Sequence, residues 1–327
     1  MTRTTAQRVG SRFLRPGALW RALGRRISAA ALVLWGAASL AFLVLAAVPG
    51  DPVDIMLGPH STASPEARAD IRERWGLNLP LWQQYLLALW RPLTGDFGIS
   101  YQQQRPVTAI LAEQLPHTLL LAVVAMALAI AIAVGAAAFT RRGIFRSIVQ
   151  LLEPVAVAAP TFWLALTLAS VFSYGLGWFP AIGGNPVQQL VLPAIALAVP
   201  LAGTLGQLLR DGLDEADRQP FAETARARGL GTVGLVWRHT LRHAASGTVT
   251  MAGTLFGWLL GGAVLVESVF ARPGLGRVAL DAIMGRDLQV VMALVLFAGV
   301  VFVIITLVVD ALVAFLDPRT RRGGDRA

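Results

Sequence analysis

Residues 27–48 read "ISAAALVLWGAASLAFLVLAAV", a run without a single charged side chain. Wound as an α-helix it is about 33 Å long, enough to cross a hydrocarbon core of about 30 Å. No water is present there to satisfy backbone N–H and C=O groups, so the run reads as helix rather than loop or open strand. Arg25-Arg26 before it and "LAAVPG" after it give it some likeness to a secretory signal. Its apolar length exceeds the core of such signals, so it is read as an uncleaved first spanning helix.

Working outward, five further apolar segments follow, at about 115–139, 148–172, 190–209, 248–270 and 289–316. The composition agrees: 55% of the 327 residues are hydrophobic, 14% are charged, and mean hydropathy is +0.62. The expectation is an all-α membrane protein with six transmembrane helices. Its domains would be a cytoplasmic basic tail (1–26), the first transmembrane helix (27–48), an extracytoplasmic subdomain (49–112), a core of five helices (113–316) containing a cytoplasmic basic segment (210–246), and a cytoplasmic tail (317–327).

The subdomain has its own helical signals. In "SPEARADIRERWGL" (64–77), Ser64, Pro65 and Glu66 form a helix start, and "LPLWQQYLLALW" (79–90) is amphipathic. Arginine placement sets orientation. The chain has 28 basic residues, all of them arginine, and a net charge of +9. Twenty fall in the N-terminal tail, the 141–146 loop, the 210–246 segment and the C-terminal tail. Both termini are therefore expected in the cytoplasm. Because the excess sits beside apolar runs, it is assigned to membrane orientation and not to nucleic acid.

The absence of lysine excludes the phosphate-binding loop G-x-x-x-x-G-K-[ST], so ATP-driven work would need a partner's ATPase. The absence of cysteine removes disulfides, thiolate metal sites and cysteine nucleophiles. "DFG" (96–98) lacks the other kinase motifs, and "GLGRVA" (274–279) follows no strand, as a dinucleotide fingerprint would require. His239 and His243 share a helical face without a third ligand. Glu153, Glu267 and Asp310 lie toward helix ends and are expected to pair locally near the interface. A proton-coupled carrier would more often hold a carboxylate at mid-membrane; an ion-gradient-driven secondary carrier, or a non-transporting scaffold or sensor, is the alternative from another class.

One basic stretch remains, "FAETARARGLGTVGLVWRHTLRHA" (221–244). Pro220 suits a helix's first turn and Gly229 its left-handed end. Glu223 near the start, and Arg226 and Arg228 near the end, complement the helix dipole. A helix of about nine residues is expected, followed by a second over 232–245 with Val233, Val236, Trp237 and Leu241 as its apolar stripe.

"ETARARG" (223–229) resembles the E-A-A-x-x-x-G loop of permease subunits in ATP-binding-cassette importers, matching at Glu223, Ala225 and Gly229, with Thr224 replacing the first alanine. Other stretches similar to that family follow in order: "VPGDP" (48–52), "GDFGISYQQQRPV" (95–107), "PTFWLALTL" (160–168), "LGWFPAIGG" (176–184), "VESVFARPGLGR" (266–277), "RDLQVV" (286–291) and "VDALVAFLDPRTR" (309–321). They cover nearly the whole chain and resemble the branch that imports dipeptides, oligopeptides and nickel. Two departures stand out. Gly247 occupies a place where the family usually has proline, and the 141–146 loop lacks an expected aspartate.

The resemblance implies a type I importer permease that performs no chemistry and binds no cofactor or metal, with ATP and Mg used by partner subunits. Its partners would be a second, homologous permease, two ATPase subunits or domains, an extracytoplasmic substrate-binding protein and the lipid bilayer. Glu223, Thr224, Ala225, Arg226, Arg228 and Gly229 would couple it to the ATPase, with Ala225 and Gly229 small for close approach. Pro160, Phe162 and Trp163, expected within the third helix, would line the path. Gly95, Asp96, Gly98, Glu267, Pro273, Gly274, Gly276, Arg286 and Asp287 form the family's outer-loop signature. The implied cargo is a di- or oligopeptide, with nickel, a metal–chelator complex or glutathione as alternatives.

Overall fold

The computed structural model describes residues 16–47, 49–57, 64–139, 143–180, 182–235 and 240–316. The described chain is helical: α1 (Pro16–Ala47), α2 (Pro52–Leu57), α3 (Pro65–Arg74), α4 (Leu81–Leu93), α5 (Val107–Phe139), α6 (Ile144–Ala158), α7 (Thr161–Leu168), α8 (Gln188–Asp217), α9 (Pro220–Ala227), α10 (Thr232–Leu235), α11 (Leu241–Val269), α12 (Leu275–Met284) and α13 (Leu288–Leu316). Helix α7 runs on into π-helical turns over Ala169–Gly175.

Four segments are long and apolar enough to cross a bilayer: Ser28–Ala47, Val107–Ala137, Gln188–Asp217 and Leu288–Val309. Two bent pairs bring the number to six if each is one crossing. One joins α6 to α7 and its π turns at 103°, and the other bends α11 by 51° between Leu259 and Gly261.

The first bend corrects the expected single helix over 148–172. Ala159 is extended (φ −71°, ψ 120°), as the residue before a proline tends to be, and Pro160 opens α7 from a non-helical position. Pro160, Phe162 and Trp163 therefore lie at and just beyond a break, not inside a straight helix. By contrast α8 continues through Pro193 and Pro200. Gly247 makes no break either, since α11 passes through it and bends further on.

Helix α8 is the centre, packed by α5, α6, α7 and α11. Ala125, Ala129 and Ala133 recur every fourth residue on α5, and Ala194, Ala198 and Leu205 meet them from α8. Small residues let the backbones approach, which is how helices associate where lipid offers no hydrophobic contrast. Between α1 and α5 lie α2, α3 and α4. Ser64 caps α3, its Oγ accepting from the Ala67 N–H at 3.3 Å, as the helix-start signal predicts.

Of the expected helix over 232–245, Thr232–Leu235 is helical in α10 and Leu241 lies in the long α11; residues 236–239 between them lie outside the described residues. Val236, Trp237, His239, Arg141 and Arg142 lie outside the described residues, as do the side chains of Val233, His243 and Asp310 and most of the two tails.

Candidate functional site

Two assemblies sit at opposite ends of the bundle. The first is α9. Gln219 is extended and Pro220 takes the first helical position, with Glu223 in the first turn and Arg226 in the last. Two hydrogen bonds end the helix: Leu230 N donates to Ala225 O at 3.2 Å, and Gly229 N to Arg226 O at 2.9 Å. This is the six-to-one, five-to-two pattern of a Schellman stop, which needs a left-handed residue. Gly229 supplies it at φ +84°.

The faces of α9 sort by chemistry. Ala222 and Ala225 are buried with Leu235 and Phe221. Ala225 thus packs within the loop. Glu223, Thr224, Arg226, Arg228 and Gly229 are exposed. Thr224 Oγ1 donates back to Pro220 O at 3.1 Å. Arg226 ties α9 to the end of α8, with Nη1 3.3 Å from Asp217 O and Nη2 3.6 Å from Asp217 Oδ1.

Two cross-links run up from this end between α6 and α8, which are antiparallel there. Arg146 pairs with Asp214 of α8, Nη2 to Oδ2 at 2.6 Å. Deeper in, Glu153 pairs with Arg210, and both side chains are about nine-tenths buried. Glu153 therefore does not pair locally; its partner is on another helix.

The second assembly, at the end bearing α3, α4 and α12, centres on Glu267, which is wholly buried. Thr118 Oγ1 of α5 donates to Glu267 Oε1 at 2.7 Å, and the Gly276 N–H of α12 donates to Oε2 at 2.8 Å. The same Thr118 oxygen accepts from the Leu275 N–H at 2.8 Å. Arg272, 5% exposed, donates to His117 O at 3.2 Å. Burial pushes its guanidinium below the ordinary value, and Glu267 opposes that shift.

One carboxylate thus joins α5, α11 and α12, and the glycines of "GLGRVA" have a use unrelated to nucleotides. A Cβ on Gly274 would fall 2.3 Å from Glu267 Cδ. One on Gly276 would fall 2.4 Å from Val264 Cα, a backbone atom that cannot swing aside. We expect Gly276→Ala to cost about 1–3 kcal/mol through overpacking, read as a lower unfolding midpoint. The exposed neighbour Arg277→Ala should stay within about 0.5 kcal/mol.

Beside it, Asp287 is 1% exposed. Its Oδ2 accepts from Ser100 Oγ at 2.5 Å and Gln102 N at 3.3 Å, fastening the 98–106 turn to the start of α13. Burial, and then the charge of Asp287, push the Tyr101 hydroxyl up to about 12; its ring meets Trp75 edge-on at 4.7 Å. Arg286 donates to Gly50 O at 3.2 Å and also to Pro49 O, so "VPGDP" and "RDLQVV" meet. Asp96 Oδ1 accepts from Gly98 N at 2.9 Å in an exposed turn that also holds Gly95. Pro273 is exposed beside Gly274. The signature residues therefore fall into two buried polar joints, with Gly95, Asp96 and Pro273 at the edges.

Thr118, Ser100, Tyr101 and Arg272 belong to these joints and Arg210 to the α6–α8 cross-link; the sequence alone does not mark any of them as a site residue. Phe162 and Trp163 are about half exposed on α7. Among the described residues, no three His, Cys, Asp or Glu side chains gather as a metal site.

The family model for "Binding-protein-dependent transport system inner membrane component" matches residues 129–322, and its N-terminal companion matches residues 19–122. A putative peptide transport system permease protein of Brucella abortus (strain 2308) is 37% identical over 308 residues, covering 91% of this chain and 98% of its own. The glutathione transport system permease protein GsiC of Salmonella choleraesuis (strain SC-B67) is 36% identical over 287 residues, covering 87% and 93%. Among solved structures, an inward-facing form of the MetNI methionine ABC transporter superposes with TM-score 0.55 at 19% identity, over 64% of this chain and 96% of that one. The last likeness concerns the fold.

Proposed function

The chain belongs to the family of binding-protein-dependent transport system inner membrane components, and from that premise we propose that it forms half of the path of an ATP-driven importer of di- or oligopeptides. It is a non-catalytic, multi-pass inner-membrane permease subunit that works with an ATPase and a binding protein and carries no cofactor of its own. The peptide cargo is supported by relatives named for peptide and glutathione transport, which align with about nine-tenths of the chain.

The finer assignments follow from residues. Both termini and α9 face the cytoplasm, in keeping with the arginine bias. The α2–α4 subdomain faces the side from which the binding protein delivers cargo. A second, homologous permease completes the path, and two ATPase subunits lie beneath. Domain limits follow the sequence reading, with 210–246 as the coupling segment and 49–112 as the subdomain. Phe162 and Trp163, just past the Pro160 break, face the path.

The observation that carries this reading is the exposed face of α9. The helix is too short to be stable alone, is clamped by Ala222 and Ala225 beneath and by Arg226 to Asp217 at its flank, and displays Glu223 and Arg228. ATPase closure pushes on that face, and α8 carries the push into the bundle.

Gly229→Val tests it in the assembly purified with its partners and reconstituted in vesicles. A left-handed backbone costs an L residue roughly 1–2 kcal/mol, enough to undo the helix stop. Transport per ATP hydrolysed should fall on the order of tenfold, with the subunit still inserted and ATP still hydrolysed. An unchanged yield of transport per ATP would refute the coupling role.

A further inference from the structure

Helix α4 is apolar on two sides, and only one of them is covered. On the covered side, Tyr85 Oη lies 2.7 Å from Ser39 Oγ of α1, and the Tyr85 ring meets Phe42 edge-on at 5.4 Å. Ala88 and Leu89 join the same cluster, which includes Met292 and Leu296 of α13. The other side carries Trp82, Leu86, Trp90 and Leu93 at 62%, 53%, 66% and 78% exposure. Their spacing of four, four and three residues is one helical stripe.

The covered side fixes the depth of the helix. Ser39 is eight residues from the end of the span Ser28–Ala47, or about 12 Å below it at the helical rise. On α13, Met292 and Leu296 lie four and eight residues inside the span that begins at Leu288, about 6 and 12 Å in. Two spanning helices thus independently hold α4 within the roughly 15 Å that one leaflet's hydrocarbon occupies.

At that depth the open stripe continues the exposed apolar surface of α1, where Leu40, Leu43 and Val44 are 55–64% exposed. Charge is segregated to match. Helix α3 carries the ion pairs Arg68–Asp54, Arg72–Asp51 and Arg74–Asp70, whereas Arg91 is the one charged residue of α4. Tryptophan is also the residue that collects where hydrocarbon meets headgroups.

We propose that α4 is embedded in the leaflet on the subdomain side, with Trp82, Leu86, Trp90 and Leu93 against lipid acyl chains. The segment between α1 and α5 is then a rim anchored in the membrane and not a free outer domain. The inference rests on the chain being a membrane protein and stands apart from cargo and from the coupling role of α9.

The chain contains no cysteine, so single substitutions can be labelled directly. L86C, W90C and the α3 control E66C would each carry a nitroxide in the full assembly, with cysteine-free partners, in lipid vesicles. Collisions with oxygen, which concentrates in hydrocarbon, are compared with those of a polar nickel chelate. The oxygen-to-nickel ratio at 86 and 90 should exceed that at 66 on the order of tenfold, since polar solutes are excluded from hydrocarbon. A ratio like that at 66 would place the stripe in water and overturn the proposal. Loss of both collisions would place it against a protein partner and overturn it equally. L93C gives the same reading if L86C fails to insert.

Discussion

Arg210→Met is expected to cost the folded subunit about 3–5 kcal/mol, the range for removing one partner of a buried ion pair. Glu153 and Arg210 have side chains only 9% and 11% exposed and lie within apolar segments that form or help form the spans. Neither charge has water to turn to, so the survivor is left without compensation. The site is also tight, because a Cβ on Gly206 would fall 2.6 Å from Glu153 Oε1. Methionine fits the arginine stem's volume but offers no charge, and a solvating rearrangement would need room that α8 does not leave.

The control that separates pairing from packing is the double variant Glu153→Gln with Arg210→Met. It should recover most of the loss, because a matched neutral pair needs no counter-charge. Arg146→Met breaks the neighbouring rung, whose partners are each about 30% exposed; it should cost about 0–1 kcal/mol, as half-solvated pairs do. Thermal inactivation rates of the purified assembly give the comparison, since unfolding of such subunits is commonly irreversible. Equal damage from the single and double variants would mean that the charges do not act as a pair.

These two rungs also set register. Going along α6, Arg146 meets an acid and Glu153 meets a base. A slide of about one helical turn would bring Arg146 toward Arg210, like charge against like. The α6–α8 pair is thereby biased to move as one body, with α9 tied to its end by Arg226 and Asp217 and the break at Ala159–Pro160 at the other.

What could be read from residues alone depended on how local the cause was. The apolar run 27–48 was legible as helix, and Ser28–Ala47 forms a helical stretch long and apolar enough to cross a bilayer, because an unbroken apolar run needs no knowledge of neighbours. Helix α9 was legible for a similar reason: Pro220 and Gly229 each act on their own backbone. The break at Pro160 was hidden because hydropathy averages over a window and is blind to φ and ψ; the Ala-Pro step carried the signal, but proline does not break α8 at 193 or 200. The partners of buried charges were not legible at all. Glu153 and Arg210 are 57 positions apart, and Thr118 and Glu267 are separated by 149, so only the fold brings them together. The outer-loop signature was visible as a pattern, while its physical reason was not. Gly274 and Gly276 are small because a buried carboxylate lies against them.

Thr118→Val should be the second most damaging change, at about 2–5 kcal/mol. The Thr118 hydroxyl donates to Glu267 Oε1 and accepts from the Leu275 N–H, and both contacts are buried. Valine preserves the shape but deserts both groups, and each buried polar group without a partner costs about 1–3 kcal/mol. Thr118→Ser keeps the hydroxyl and loses only a methyl, so it should cost about 1 kcal/mol. The readout is local as well as global. Leu275 begins α12, and amide exchange of Leu275 and Gly276 should speed up in the valine variant and not in the serine variant. A valine variant as stable and as protected as the serine variant would show that the Glu267 joint is held by packing alone. If the loss appears as expected, one hydroxyl from α5 is what fastens α12 to α11 at the subdomain end.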